Sequence, residues 1–239
     1  QRMAFLANTV HEIRTPVQTI VGTLELLSDT NLNNEQQEYV RQIQFSTNVL
    51  LSLVNDILDF TKIKSRQIVL ESIPYDVVAL TEQVVDLVSM EAFGKGIELV
   101  VDSDYKLPQL VTGDPTRIQQ VLLNIIKNAV KFTQSGYIHV SLAKKDETAL
   151  LFEVADTGIG IPADKHELIF ERFTQENMST ARRFGGSGLG LSLVKDLAGI
   201  LGGDVSLTSR PGEGSEFVVR VPVVTVARTG SEASEGGGS

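Results

Sequence analysis

Residues 10–16 have the sequence Val10-His11-Glu12-Ile13-Arg14-Thr15-Pro16, which places an imidazole beside a carboxylate within a helical pattern. The apolar residues around this segment alternate in steps of four and three, which is the spacing of a helix that packs on other helices. This seam consists of Leu6, Val10, Ile13, Val17, Ile20, Leu24 and Leu27. Because His11 lies just off the seam, we expect it on the flank of a helix bundle, next to water and to any molecule that docks there.

Pro16 is the second unusual feature of this helix. A proline inside a helix removes its own backbone donor and frees the carbonyl four residues earlier, at a cost of roughly 3 kcal/mol. The freed carbonyl is that of Glu12. His11 taken alone is equally well explained as a polar residue on a solvated helix face, so its interpretation depends on the rest of the chain.

A second helix with the same spacing follows a polar turn at residues 28–34. Its seam consists of Val40, Ile43, Thr47, Leu50, Val54 and Ile57. Two such helices form an antiparallel hairpin, and one hairpin cannot cover both seams, whereas two copies form a four-helix bundle. The sequence therefore predicts a homodimer. The alternative is a hairpin that the rest of its own chain covers.

The composition limits the classes of function. The chain has 239 residues, of which 42% are hydrophobic, enough for one full domain and a smaller one. Its net charge of −9 argues against nucleic-acid binding, so a polyphosphate ligand would need local donors, a metal and a few lysines. The absence of cysteine excludes disulfides and thiolate metal sites.

No apolar run approaches the roughly 20 residues of a membrane-spanning helix, and the first residues show no signal-peptide pattern. We therefore expect a cytoplasmic fragment that makes no membrane contact of its own. We also expect that an upstream part of the full-length parent is missing here, and whether that parent is anchored in a membrane is left open. Residues 227–239 end in a Gly- and Ser-rich run, which predicts a flexible tail or linker.

The hydrophobic period changes after residues 62–66, which predicts a domain boundary. Helices are then predicted at residues 76–93, 114–132, 164–170 and 188–201. Strands are predicted at residues 67–70, 73–75, 97–101, 110–112, 137–142, 149–155, 205–208 and 217–221. This order of elements predicts a mixed sheet with helices on one face.

Three stretches of this second domain carry polar groups that a core does not need. In the first, Asn124, Asn128 and Lys131 recur on one face of a predicted helix. Asparagine carbonyls can coordinate Mg²⁺ without adding charge, and a lysine can contact phosphate. A solvated helix face explains any one of these residues equally well.

The second stretch, Asp156-Thr157-Gly158-Ile159-Gly160, directly follows a predicted strand. Its carboxylate can accept a hydrogen bond from an exocyclic amine, and its glycines let the backbone approach a flat ring. The third, Gly185-Gly186-Ser187-Gly188-Leu189-Gly190, directly precedes a helix, where backbone donors and the helix dipole favour an anion. Taken alone, the second stretch is also typical of turns, and the third stretch is also typical of hinges.

The order of these motifs resembles that of sensor histidine kinases. His-Glu-Ile-Arg-Thr-Pro at residues 11–16 resembles their phosphoacceptor box. Their N, G1, F and G2 boxes are resembled, in the same order, by residues 124–132, 156–161, 170–175 and 185–191. The resemblance covers roughly residues 1–225 and is greatest to the catalytic cores of hybrid sensor kinases, where Gly-Asp-Pro-Thr-Arg, here residues 113–117, is common. Val10, Val17 and Ser187 differ from the residues that are usual in this family. None of these differences removes a hydrogen-bond donor that the chemistry requires.

The resemblance implies an α+β chain with three parts. Residues 1–66 would form a dimerisation and histidine-phosphotransfer hairpin within a dimeric four-helix bundle. Residues 67–226 would form an α/β sandwich of the Bergerat type that binds ATP and Mg²⁺, and residues 227–239 the flexible tail or linker.

The resemblance also implies the roles of the site residues. His11 would accept the phosphoryl group, Glu12 would orient the imidazole or accept its proton, and Thr15 would orient a water in a phosphatase reaction. Mg²⁺ would be held by Asn128, either alone or together with Asn124. The nucleotide would contact Asn124, Asn128, Lys131, Asp156, Gly158, Gly160, Phe173, Gly186, Ser187, Gly188, Leu189 and Gly190. Residues 174–185 would form a mobile lid, with Arg182 and Arg183 as candidates for the γ-phosphate.

The implied function is a histidine autokinase that passes its phosphoryl group to an aspartate of a receiver domain, on a separate chain or in a missing downstream part. Two other classes are possible from the residues: a core that binds ATP only as a conformational switch, and an ATPase related to chaperones or topoisomerases, which lack the histidine hairpin. His139 and His166 are expected to be structural or solvated. The sequence leaves open which signal is sensed, which receiver is the partner and how kinase and phosphatase activities are balanced. It also leaves open whether the parent protein is a hybrid kinase or membrane-bound, and whether phosphorylation occurs in cis or in trans.

Overall fold

The computed structural model describes residues 2–64, 68–146, 148–171, 189–222 and 224–225. The helices are α1 (Arg2–Ser28), α2 (Asn34–Lys64), α3 (Val77–Gly94), α4 (Pro115–Phe132) and α5 (Gly190–Ile200). The strands are β1 (Ile73–Tyr75), β2 (Ile97–Ser103), β3 (Val111–Gly113), β4 (Gly136–Asp146), β5 (Ala149–Asp156), β6 (Asp204–Arg210), β7 (Gly214–Pro222) and β8 (Val224–Thr225).

Helices α1 and α2 form the predicted hairpin, and Pro16 does not interrupt α1. The turn ends in a reciprocal cap, because Asn33 Oδ1 accepts the Gln36 backbone N–H at 2.8 Å and Gln36 Oε1 accepts the Asn33 backbone N–H at 3.0 Å. Across the hairpin, Arg14 Nη2 donates to Asn55 Oδ1 at 2.7 Å. The chain therefore reverses sharply, which sets the two helices side by side.

The heptad positions of the hairpin have two different environments. Those at one position are buried between the helices: Val17, Leu24, Val40, Thr47, Val54 and Thr61. Five residues at the other position are 40 to 47% exposed: Ile13, Ile20, Leu27, Ile43 and Leu50. Ile57, at the same position, is half-buried and packs on Val54 and Leu58. Within the described part of the chain nothing covers this second set fully, which leaves an apolar surface along the hairpin.

The second half of the chain forms the predicted mixed sheet with helices on one face. Its strand order is β2-β4-β5-β7-β6, in which β2 and β4 are parallel and the other pairs antiparallel. Helices α3, α4 and α5 pack on one face of this sheet over a core that includes Val84, Leu122, Ile126, Phe152 and Leu197. Strands β1, β3 and β8 form a separate small sheet.

The structure corrects two of the predicted elements. Residues 68–70 form no strand, because pairing with β3 begins only at Ile73, opposite Gly113. The predicted helix at residues 164–170 is instead two 3₁₀ turns, Ala163–Lys165 and Leu168–Phe170, which are closed by bonds such as His166 N–H to the Ala163 carbonyl. The helix predicted from residue 188 begins, among the described residues, at Gly190.

None of the helices in these ranges combines the length and the apolar character that crossing a membrane requires.

Candidate active site

The polar face of α4 lies beside the N-terminus of α5. Asn124, Asn128 and Lys131 are half-buried on this face, while residues such as Leu122 on the opposite face are fully buried. Asn124 Nδ2 donates to the Gln120 carbonyl at 3.0 Å. A Cβ added to Gly190 would lie 3.2 Å from Asn124 Oδ1. The structure thus places Asn124 of the first predicted stretch next to Gly190, the last residue of the third.

Two cationic side chains lie at the C-terminal end of α4: Lys131, in its last turn, and Lys95, which directly follows α3. Burial, followed by the positive charge of Lys95, lowers the pKa of the Lys131 ammonium. Lys95 Nζ itself donates to the Val130 carbonyl at 2.9 Å, and Lys131 Nζ lies 4.7 Å from the centroid of the Phe132 ring. Lys95 Nζ also lies 3.5 Å from Glu91 Oε1, so it already has a carboxylate partner. Lys131 is a half-buried cation on α4 and could contact phosphate.

Asp156 is the last residue of β5 and is half-buried. Burial raises the pKa of its carboxyl group, while hydrogen bonds from the backbone N–H groups of Gly158 and Ser215 oppose that rise. The Gly158 N–H lies 2.8 Å from Asp156 Oδ1. The carboxylate is therefore held in a fixed orientation by two backbone donors before any ligand arrives.

The glycines after Asp156 are required by close packing within the protein. A Cβ on Gly158 would lie 2.7 Å from both Asp156 Oδ1 and the Phe132 carbonyl oxygen. Gly160 has a φ of +67°, and a Cβ there would collide with the Arg210 carbonyl. The Ile159 N–H donates to the Phe132 carbonyl at 3.4 Å, which joins this loop to the end of α4.

The turn between β6 and β7 supplies residues that the sequence prediction missed. The Gly212 N–H donates to the Ile159 carbonyl at 2.7 Å, and the Ile161 N–H donates to Ser209 Oγ at 2.8 Å. Ser209 Oγ in turn lies 3.0 Å from Ser215 Oγ. The available signal in the sequence was the Pro-Gly-Glu-Gly run at residues 211–214, which by itself is typical of any tight turn.

Thr157 holds the start of β4 in place. Its Oγ1 accepts the Tyr137 N–H at 3.0 Å, and its own N–H donates to the Tyr137 carbonyl at 3.2 Å. A Cβ on Gly136 would collide with this hydroxyl. Thr157 thus joins β4 to the loop that carries Asp156.

The remaining predicted site residues are in the hairpin or beyond the described ranges. His11 lies within α1, and its side chain is not among those that the structure describes; Glu12 and Thr15 are exposed on the same helix. Leu189 is buried immediately before α5. Phe173, Gly186, Ser187 and Gly188, and the predicted lid at residues 174–185 with Arg182 and Arg183, lie outside the described residues.

The other two histidines have local partners. His139 Nε2 lies 2.7 Å from Asp102 Oδ2 on the neighbouring strand, and His166 Nε2 donates to the Ile161 carbonyl at 3.0 Å. These contacts agree with the structural role that the sequence suggested for both.

A small cavity lies at the opposite end of β5 from Asp156. Its lining includes Tyr75, Asp114, Phe152 and Pro222, and its volume is about 30 Å³. Ligand pockets usually have volumes of roughly 300 to 1,000 Å³, so this cavity is too small for a nucleotide. The candidate site therefore remains the region between Asp156, α4 and the start of α5.

Comparison with known proteins identifies both halves of the chain. Residues 1–66 match the family model of the His Kinase A (phospho-acceptor) domain, and residues 113–225 match that of the histidine kinase-, DNA gyrase B-, and HSP90-like ATPase. Hybrid signal transduction histidine kinase A of Dictyostelium discoideum is 37% identical over 92% of this chain and 11% of its own length. Signal transduction histidine-protein kinase BarA of Escherichia coli K12 is 38% identical over 89% of this chain and 24% of its own length.

The solved structures give the same result. Full-length ShkA in complex with AMPPNP has a TM-score of 0.79 and 38% identity, over 93% of this chain and 46% of that one. The mycobacterial sensor histidine kinase MprB has a TM-score of 0.55 and 26% identity, over 65% of this chain. The chain spans a quarter or less of the length of the two curated relatives named above. It belongs to the sensor histidine kinase family and contains that family's phosphoacceptor and ATPase-type domains.

Proposed function

We propose that this chain is the core of an ATP-dependent autokinase that phosphorylates His11 with a nucleotide bound by its second domain. The observation that supports the proposal is that α4 connects two parts of the candidate site: its end is bonded to the Asp156 loop at Phe132, and its Asn124 lies beside Gly190 at the start of α5. The same chain contains His11 in its first helix. Residues 1–66 are the phosphotransfer hairpin, residues 67–226 the ATP-binding domain and residues 227–239 a flexible tail or linker.

In this proposal Asp156 accepts a hydrogen bond from the exocyclic amine of adenine. Its orientation by Gly158 and Ser215 supports this role, because a carboxylate fixed in advance loses little freedom when it binds. Lys131 contacts phosphate oxygens, and the backbone from Gly186 to Gly190 surrounds them at the N-terminus of α5. Phe173 anchors the lid, and Gly158 and Gly160 let the loop lie close to the base.

Mg²⁺ fits the donor atoms of this site. Among the described residues no three His, Cys, Asp or Glu side chains come together as a metal site. The ion would be held by the amide oxygen of Asn128, with that of Asn124, together with phosphate oxygens and water, which are the oxygen ligands that Mg²⁺ prefers. When bound, it neutralises charge on the phosphates.

In the reaction, a neutral ring nitrogen of His11 attacks the γ-phosphorus of ATP in line, the bond to the β-phosphate oxygen breaks, and ADP leaves. Glu12 accepts the proton of the other ring nitrogen or orients the ring. The phosphoryl group then passes from the histidine to an aspartate of a receiver domain, on another chain or in a downstream part. Thr15, one turn beyond His11, would orient a water when the phosphorylated receiver is hydrolysed.

The proposal includes a homodimer through the hairpin. The second heptad set, Ile13, Ile20, Leu27, Ile43 and Leu50, supports it because these large apolar side chains are spaced for packing on another hairpin. The charge of −9 makes nucleic acid an unsuitable partner.

Incubation of the chain with γ-labelled ATP and Mg²⁺ tests this function. We expect label that is acid-labile and alkali-stable, present in the wild type and absent from His11→Gln. Because the chain has three histidines, His139→Gln and His166→Gln are matched controls and should keep the label. Nucleotide binding without label would favour a conformational switch, and phosphate release without label would favour an ATPase; either result contradicts the proposal.

A further inference from the structure

Asp114 makes two hydrogen bonds to different parts of the chain. It precedes α4 and is only 3% exposed. Its Oδ1 accepts the Arg117 backbone N–H at 3.0 Å, which caps α4. Its Oδ2 accepts the backbone N–H of Glu71 at 3.1 Å. Glu71 lies in the segment that connects α2 to β1, so one buried carboxylate joins the linker to the helix that carries Asn124 and Asn128.

The cap alone does not explain a carboxylate at this position. Asp76 caps α3 with a single oxygen, because its Oδ1 accepts both the Val78 N–H at 3.0 Å and the Ala79 N–H at 2.9 Å. Asparagine and serine cap helices about as well as aspartate. What distinguishes Asp114 is the second acceptor oxygen, which the linker uses.

The bond from Glu71 also extends a pairing that holds the linker. Strand β1 pairs with β3 from Tyr75, opposite Val111, to Ile73, opposite Gly113. The next contact along this ladder is the Glu71 N–H to Asp114. Ile68, further back in the linker, packs on the core of the second domain. The linker is thus attached to this domain up to a few residues from the end of α2.

We propose that Asp114 is a positioning residue that fixes the linker to the start of α4 and so sets the orientation in which bound ATP approaches His11. This inference rests on the proposed function. Transfer of a phosphoryl group requires in-line approach, and small misplacements of the reacting atoms greatly reduce rates. A linker that is held at α4 limits the domain to fewer orientations, and α4 is the helix that holds the nucleotide.

Asp114→Asn separates the two bonds, because asparagine has one acceptor oxygen and can either cap α4 or bind the linker. The local cap is the bond that asparagine commonly makes, so we expect the Glu71 bond to be lost. Glu71→Pro removes the same bond from the other side by deleting its N–H. The matched controls are Asp76→Asn, which needs only one oxygen, and Glu71→Ala, which keeps the N–H.

The experiment measures two quantities in each variant: the dissociation constant of a non-hydrolysable ATP analogue, and the initial rate of His11 labelling at saturating ATP. In Asp114→Asn and Glu71→Pro we expect a dissociation constant within about twofold of the wild type and a labelling rate about threefold to tenfold lower, since only the orientation is lost. The double variant should be no slower than either single variant. Both controls should match the wild type.

Two results would overturn the inference: labelling by Glu71→Pro at the wild-type rate, or a loss of nucleotide affinity in either variant that accounts for its lower rate. The second result would mean that Asp114 serves only the folding of α4. Absence of label from the wild type itself would overturn the proposed function, and is thereby distinguished from a failure of this inference alone.

Discussion

At the scale of single residues, Gly158 is placed where no side chain fits. An added Cβ would lie 2.7 Å from Asp156 Oδ1, so the substitution displaces the carboxylate that we assign to adenine. We expect Gly158→Ala to weaken nucleotide binding by about tenfold or more, which corresponds to about 1.4 kcal/mol. Calorimetric titration with an ATP analogue measures this change.

Gly199 provides the matched control for this substitution. It lies in α5, and apart from its chain neighbours and the backbone of its own helix no atom lies within 4 Å of an added Cβ. Because alanine favours helices more than glycine does, Gly199→Ala should raise the free energy of unfolding by roughly 0.5 to 1 kcal/mol. Its nucleotide affinity should stay that of the wild type. Equal affinities for both alanine variants would contradict the role of Asp156.

Tyr75 provides a pH dependence of stability. Burial, followed by the negative charge of Asp114, raises the pKa of its phenol from 10.0 to about 12. The folded state therefore favours the neutral phenol, so this contribution to stability is complete below pH 10 and is lost as the pH rises from 10 towards about 12. Tyr75→Phe cannot ionise, so its stability relative to the wild type should increase over that interval.

Denaturant unfolding at pH 8, 10 and 11.5 tests the Tyr75 prediction. Tyr105→Phe is the control, because Tyr105 is 89% exposed and touches little of the core. A constant difference between the wild type and Tyr75→Phe across this range would show that the phenol ionises as readily in the folded chain as in the unfolded one.

At the scale of elements, the hairpin contains two kinds of apolar position on the same helix. Leu58 is 3% exposed and Leu50 is 42% exposed. Leu58→Ala leaves a cavity inside the chain and should lower the free energy of unfolding by about 2 to 5 kcal/mol at any protein concentration. Leu50→Ala should destabilise only to the extent that a partner hairpin covers Leu50, so its effect should depend on concentration.

Thermal unfolding of both variants at low and high micromolar concentration distinguishes these effects. A melting temperature of the wild type that does not change with concentration, together with a negligible effect of Leu50→Ala, would mean that the exposed heptad set has no partner in solution.

At the scale of the whole molecule, we expect a dimer whose nucleotide sites each belong to one chain. Ile43→Asp places a charge in the exposed heptad set and should convert the dimer to a monomer without changing nucleotide affinity, because Asp156, α4 and α5 come from one chain. Sedimentation velocity and calorimetric titration measure the two properties.

Leu87→Asp, on the exposed face of α3, is the control and should remain dimeric. A wild type that sediments as a monomer at micromolar concentration would contradict this prediction.

The sequence was informative wherever a contact is local or periodic. Apolar residues in alternating steps of four and three predicted α1 and α2. Asp76 and Asp114 marked the starts of α3 and α4, and the alternation of apolar and polar residues marked β4 and β5. It failed at residues 68–70, where alternation is present but the pairing of β1 with β3 begins only at Ile73, and at residues 164–170, where one short helix was predicted but two 3₁₀ turns form.

The sequence by itself determined the order of the motifs, the family to which the chain belongs and the residue types that could hold a nucleotide, because these depend on neighbours along the chain. Only the tertiary structure decided which heptad positions are buried within one chain, that the β6–β7 turn holds the Asp156 loop, and that Glu71 meets Asp114. Each of these depends on contacts between residues far apart in the sequence. Such contacts follow from how the elements pack, which no local pattern records.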